Sequence, residues 1–109
     1  MTLQTDPHDV GAVPPVAPVG TLQDVLQALA DPVRLEMVRR LAADDGPVRC
    51  SALYEGVSKS TASHHFKTLR EAGITERSYV DGVVHHTLRR DDLEDALPGV
   101  VTSIVTALD

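Results

Sequence analysis

From Thr21 onward, apolar positions recur at helical spacing. Leu22, Val25, Leu26 and Leu29 fall at i, i+3, i+4 and i+7, which predicts an amphipathic helix with Thr21 as its N-cap. Asp31-Pro32 restarts the chain, because Asp accepts the free N–H groups of a first turn and Pro at the first helical position loses no bond. Val33, Met37, Val38 and Leu41 form the apolar face of this second helix, and Gly46-Pro47 ends it. Residues 50–56, CSALYEG, predict a brief third helix closed by glycine. Ser58 then caps a fourth helix that runs to Ala72, with Gly73 as its stop. Its buried stripe is Ala62, Phe66 and Leu69, and its hydroxyl and basic residues fall on other faces.

The period then changes. In ITERSYVDGVVHHTLR, Asp81-Gly82 joins two β-favouring runs, the signature of a two-residue type I′ hairpin turn. That register pairs Val80 with Val83, Tyr79 with Val84 and Arg77 with His86; both faces carry apolar residues, so the pattern leaves the inner face open. Leu93, Leu97, Val100, Val101, Ile104, Val105 and Leu108 trace a last helical stripe. Pro98 divides it into a short turn over 92–96 and a main helix. Residues 1–19 hold four of the seven prolines and no periodicity, and are read as a flexible arm preceding one domain over 20–109.

The expected architecture is therefore mainly α with a β-hairpin wing: four helices, the hairpin, and a fifth helix. A short helix, a tight turn and a helix with a polar outer face make a helix-turn-helix, and the hairpin makes it winged.

Charge sharpens this picture. The net charge of −6 argues against nucleic acid, but it is unevenly distributed. Residues 59–90 carry six bases against three acids and four of the five histidines, whereas residues 91–109 carry five acids and no base. A DNA-binding protein needs a basic face rather than a basic total. Ser58, Lys59, Ser60, Thr61, Ser63, His64 and Lys67 are the candidate contacts on the fourth helix, with Arg77 in the hairpin and Arg89, followed by Arg90, beyond it. The single Cys50 forms no internal disulfide, and no apolar run approaches the ~20 residues of a membrane span. With no signal-peptide pattern at the N-terminus, a cytoplasmic protein is expected.

LADPVRLEMVRRLA (29–42), SKSTASHHFKTLREAG (58–73) and the hairpin around Asp81-Gly82 resemble the ArsR-type winged-helix repressors of bacteria. The resemblance covers roughly residues 21–109 and implies a homodimer that binds double-stranded DNA and is released by an effector. It also implies dimerisation through the first and last helices. On these, Leu22, Val25, Leu26, Leu97, Val101, Ile104, Val105 and Leu108 are the candidate interface residues.

Many members of that family bind metal, but the residues here argue against it. Where the resemblance places two thiolates, PVRCSAL has only Cys50. The last helix has no His or Cys. His64 and His65 point about 100° apart on a helix, and His85 and His86 point to opposite faces of a strand. His8 with Asp6 and Asp9 is a weak ligand cluster. No metal or other cofactor is expected. Cys50 reads as a small apolar or capping residue, with thiol sensing as the sharper alternative. No catalytic motif is present, so the competing class is a winged-helix interaction module that has lost DNA binding, for which the net acidity speaks.

Overall fold

A computed structural model describes residues 16–109. The cluster His8, Asp6 and Asp9 lies outside these residues, as does most of the expected arm. Helix α1 spans Leu22–Leu29 and α2 spans Pro32–Ala42. Thr21 and Asp24 form a reciprocal capping box on α1, Asp24 N–H donating to Thr21 Oγ1 at 3.2 Å and Thr21 N–H to Asp24 Oδ2 at 3.0 Å. Asp31 Oδ1 accepts from Val33 N–H at 2.8 Å and Arg34 N–H at 3.2 Å, so Asp-Pro starts α2 as its chemistry requires.

The expected third helix is reduced to one 3₁₀ turn, Cys50–Ala52. The chain just before it pairs as a strand, β1 (Val48–Arg49), which the sequence pattern did not reveal. Leu53 then plunges into the core, fully buried, and Gly56 takes φ +75°, so no helix continues. Helix α3 spans Lys59–Glu71, the hairpin is β2 (Thr75–Val80) and β3 (Val83–Leu88), and the chain ends in α4 (Arg90–Ala96) and α5 (Val100–Leu108). The expected break at Pro98 is present, with Gly99 at φ +78° between the two helices.

The sheet is antiparallel in the order β1-β3-β2. Its hairpin register is the predicted one: Val80 faces Val83, Tyr79 faces Val84 and Arg77 faces His86. Asp81 (φ 52°) and Gly82 (φ 77°) both adopt the left-handed conformation a type I′ turn demands. Strand β3 gains a second neighbour, Val48 pairing with His86 and Arg49 with His85. The inner face is now decided: His86 and Leu88 are buried with Thr75 opposite, against a core that includes Met37, Leu41, Leu69 and Ile74.

Residues 16–20 are bonded to this domain. Gly20 N–H donates to Ala72 O at 2.9 Å. Gly73 takes φ +76°, and a Cβ there would fall 2.5 Å from Val19 Cα. That glycine therefore both stops α3 and makes room for the incoming N-terminal segment.

Candidate nucleic-acid interface

Helix α3 separates its two faces cleanly. Ala62, Phe66 and Leu69 are buried. The imidazole of His86 stacks on Phe66 with ring centroids 4.0 Å apart and planes 8° from parallel, and Tyr54 meets the Phe66 ring edge-on at 6.2 Å. Burial, and then the nearby Arg70 and Arg77 charges, lower the pKa of His86 to about 4. The ring is thus a neutral aromatic core element at physiological pH.

His65 fixes the orientation of α3 from the other side. Its Nδ1 lies 2.9 Å from Arg34 Nη1. A guanidinium can only donate, so Nδ1 accepts and the ring proton sits on Nε2, which lies 4.0 Å from Asp31 Oδ1. The capping residue of α2 and the recognition-type helix are thereby linked. The partner of His65 is thus a side chain of α2.

The outer face is free. Ser58, Lys59, Ser60, Thr61, Ser63, His64 and Lys67 are all exposed. Ser58 Oγ accepts from Thr61 N–H at 3.1 Å and donates to Thr61 Oγ1 at 2.9 Å, with Ser60 Oγ at 3.2 Å. This hydroxyl cluster caps the helix without introducing negative charge. The first turns of α1 and α4 contain acids, Asp24 in one and Asp91 and Asp92 in the other, whereas that of α3 contains none. The positive end of the α3 dipole thus remains available to an anion.

The two arginines expected to accompany this face behave differently. Arg77 is half-buried on the inner face of the hairpin, where Nη2 donates to Tyr79 Oη at 2.8 Å and the guanidinium lies 5.4 Å from the Tyr79 ring centroid. Arg89 does not extend toward the DNA face at all. Its side chain is only 8% exposed, pairs with Asp92 at 3.1 Å, and donates to Ala17 O and Gly73 O. The expectation that it grips phosphate is corrected: Arg89 closes the N-terminal segment onto the C-terminal end of α3. Arg90 likewise donates to Leu41 O and Ala42 O, covering carbonyls that the end of α2 leaves open. The tip of the wing carries Asp81 and no base.

Two cations on the α3 side escaped the sequence reading. Arg49 is brought beside Lys59 and Ser63 only because β1 pairs with β3, and Arg70 lies further along α3 at the same cleft. A two-residue strand has no periodicity by which to find it. Cys50 also lines this cleft; burial raises its thiol pKa although Arg77, Lys59 and Arg70 pull it down. Its thiolate is therefore not favoured.

The residues expected at a dimer interface divide. Leu22 and Leu26 are 47% and 45% exposed, and Leu97, Ile104, Val105 and Leu108 are partly exposed. Val25 is fully buried and Val101 nearly so within the protomer, so both pack its own core and offer a partner almost no surface. Among the described residues, no group of three His, Cys, Asp or Glu side chains is placed to hold a metal ion. No helix among them is long and apolar enough to cross a membrane.

Known proteins share this arrangement. The sequence profile of the family described as "Helix-turn-helix domain" matches residues 29–78, from the end of α1 into the wing. The chain is 35% identical over 82 residues to an uncharacterized HTH-type transcriptional regulator, YceK of Bacillus subtilis (strain 168), covering 73% of this chain and 82% of that protein. In fold it is similar to the transcriptional repressor BigR from Xylella fastidiosa (TM-score 0.61, 24% identity, 81% of this chain and 86% of that one). It is also similar to an ArsR-like transcriptional regulator from Rhodococcus sp. RHA1 (TM-score 0.58, 20% identity, 80% and 77%). These relatives are regulators rather than enzymes. With its capped polar helix and following wing, the chain belongs to the DNA-binding helix-turn-helix transcriptional regulators.

Proposed function

We propose that the protein is a cytoplasmic homodimeric repressor that lays α3 in the major groove and releases its operator when an effector binds. The observation that carries this reading is the outer face of α3. Seven polar side chains from Ser58 to Lys67 are exposed together, on a helix whose first turn carries no acid. Short hydroxyl residues at the start of the helix suit close phosphate and base contact, and His64 and Lys67 reach further. Half-buried Arg77 stands behind this face rather than on it.

Dimerisation would use Leu22 and Leu26 of α1 with Leu97, Ile104, Val105 and Leu108 near and on α5, which are apolar and incompletely covered. Two recognition helices then sit about one DNA turn apart, roughly 34–36 Å, and call for an inverted-repeat operator. The solved relative named as a repressor supports the direction of regulation.

The test is DNA selected in vitro from a random pool, followed by gel-shift titration of the selected duplex. Replacing both Ser63 and Lys67 by Ala is expected to abolish detectable binding while the species on a sizing column stays unchanged. Unaltered affinity would remove α3 from the interface, and failure to select any duplex at low salt would favour the interaction-module reading.

A further inference from the structure

The C-terminal end of α3 is held by parts of the chain far from it in sequence. Local backbone bonds serve the first of its closing carbonyls: Gly73 N–H donates to Arg70 O and Ile74 N–H to Leu69 O. The carbonyls that follow are bonded from elsewhere. Ala72 O accepts from Gly20 N–H at 2.9 Å, and Gly73 O accepts from Arg89 Nη1 at 3.1 Å. The same Arg89 nitrogen also donates to Ala17 O, so one guanidinium ties the N-terminal segment and the end of α3 together.

Residues 17–20 thus lie as a strap across that end. Val19 anchors the strap by packing on the hydrophobic core. The fit is close, since a Cβ on Gly73 would fall 2.4 Å from Pro18 O. The buried stripe of Ala62, Phe66 and Leu69 sets how deeply α3 sits. Apolar contact is non-directional, so it fixes depth more firmly than tilt, and directional bonds must set the tilt. The Arg34–His65 bond is one such point along α3, and the strap is a second, at its end. Two points define the axis of a helix of 13 residues, about 20 Å long. The exposed polar face lies toward the other end, where a tilt displaces it. Base-edge hydrogen bonds depend on that alignment, whereas phosphate contacts carry no sequence information.

We propose that residues 17–20, with Gly73 and Arg89, are positioning residues for α3. The docked strap holds the helix at the tilt that reads bases. A strap lifted from α3 lowers operator affinity and leaves the phosphate contacts in place. This inference rests on α3 being the DNA-contacting helix, as proposed above.

Such coupling is reciprocal: if strap docking strengthens operator binding, operator binding holds the strap down by the same factor. The experiment follows hydrogen exchange of Gly20 N–H in the full native chain, free, with the selected duplex and with a random duplex of equal length. Ala43 N–H, bonded to Arg39 O at the end of α2, is the internal reference. The selected duplex is expected to slow Gly20 exchange about tenfold relative to Ala43, and the random duplex by no more than about twofold. Val19→Ser removes the anchor of the strap without changing a residue of α3. It should weaken the selected duplex about tenfold, leave random-duplex affinity within about twofold and keep the log–log salt slope. Val19→Ile, which keeps the anchor, should restore native affinity.

Equal slowing of Gly20 by both duplexes, or none by the selected one, overturns the proposal. So does a Val19→Ser chain that exchanges Gly20 faster yet binds the selected duplex as the native chain does. Equal losses on both duplexes would also overturn it, because they would mean lost phosphate contact rather than lost alignment. Should Val19→Ser fail to fold, the exchange result on the native chain decides alone. Failure to select any duplex overturns the proposed function and this inference with it. A native chain that binds its operator while Gly20 is unaffected overturns this inference only.

Discussion

Two basic segments, each with an adjacent pair of histidines, meet opposite fates in this fold. In α3, Ser60, Ser63, His64 and Lys67 remain exposed, and His65 alone turns toward α2. In the hairpin and the residue after it, Arg77 and His86 turn toward α3, and Arg89 clamps backbone carbonyls. The first segment leaves its polar groups exposed, and the second uses them inside the protomer. A positive charge in sequence thus has two uses, and arginine serves the internal one because its five donors can satisfy several carbonyls at once.

If that contrast is right, changes in the hairpin segment alter stability and changes on the outer face of α3 alter DNA binding. The largest effect is expected from acid. The folded pKa of His86 lies near 4, below the ordinary 6.5, so the unfolded chain binds more protons between these values. Stability is then complete above about pH 6.5 and falls as pH drops to about 4, by about 3 kcal/mol in total. Denaturant unfolding of the native chain and His86→Phe across this range checks it, and the variant should lose most of the slope. Glu36, held at about 2 by hydrogen bonds from Arg39 and Arg40, adds a separate loss of stability below pH 4.5. As that cluster is well exposed, its share is small.

Arg89→Ala comes next. It leaves Gly73 O and Ala17 O without their donor and should cost about 1–3 kcal/mol, read as a lower Tm. DNA affinity, measured well below that Tm, should keep its salt dependence. A flattened salt dependence would return Arg89 to the interface and break the contrast. The smallest change in stability belongs to Lys67→Ala, whose Tm should stay within about 0.5 kcal/mol equivalent of the native chain. Its log–log salt slope for DNA should drop by about one, the signature of one lost phosphate contact. A slope unchanged by Lys67→Ala would mean that exposure on α3 is not contact.

Much of the fold is legible in local chemistry. Asp31-Pro32, Ser58, Gly73 and Asp81-Gly82 each specify a cap, a stop or a turn from within a few residues, and the structure has each of them. The outer face of α3 follows from helical period alone, since placing Ala62, Phe66 and Leu69 inward forces Ser63 and Lys67 outward. What failed to show was non-local. The third helix gave way to a 3₁₀ turn as Leu53 enters the core, and β1 just before it pairs with a strand nearly forty residues later in the chain.

The sequence by itself determined the main helices and the hairpin, their order, the hairpin register and the polar face of α3, because each depends on contacts within a turn or a two-residue loop. Tertiary structure alone decided which face of the hairpin is buried and which arginines become clamps. It also decided that Val25 belongs to the protomer core and that Arg49 joins Arg70 and Arg77 at one cleft. Those outcomes depend on which surfaces meet across long stretches of chain. Periodicity assigns a side chain to a face, and only packing decides what that face meets.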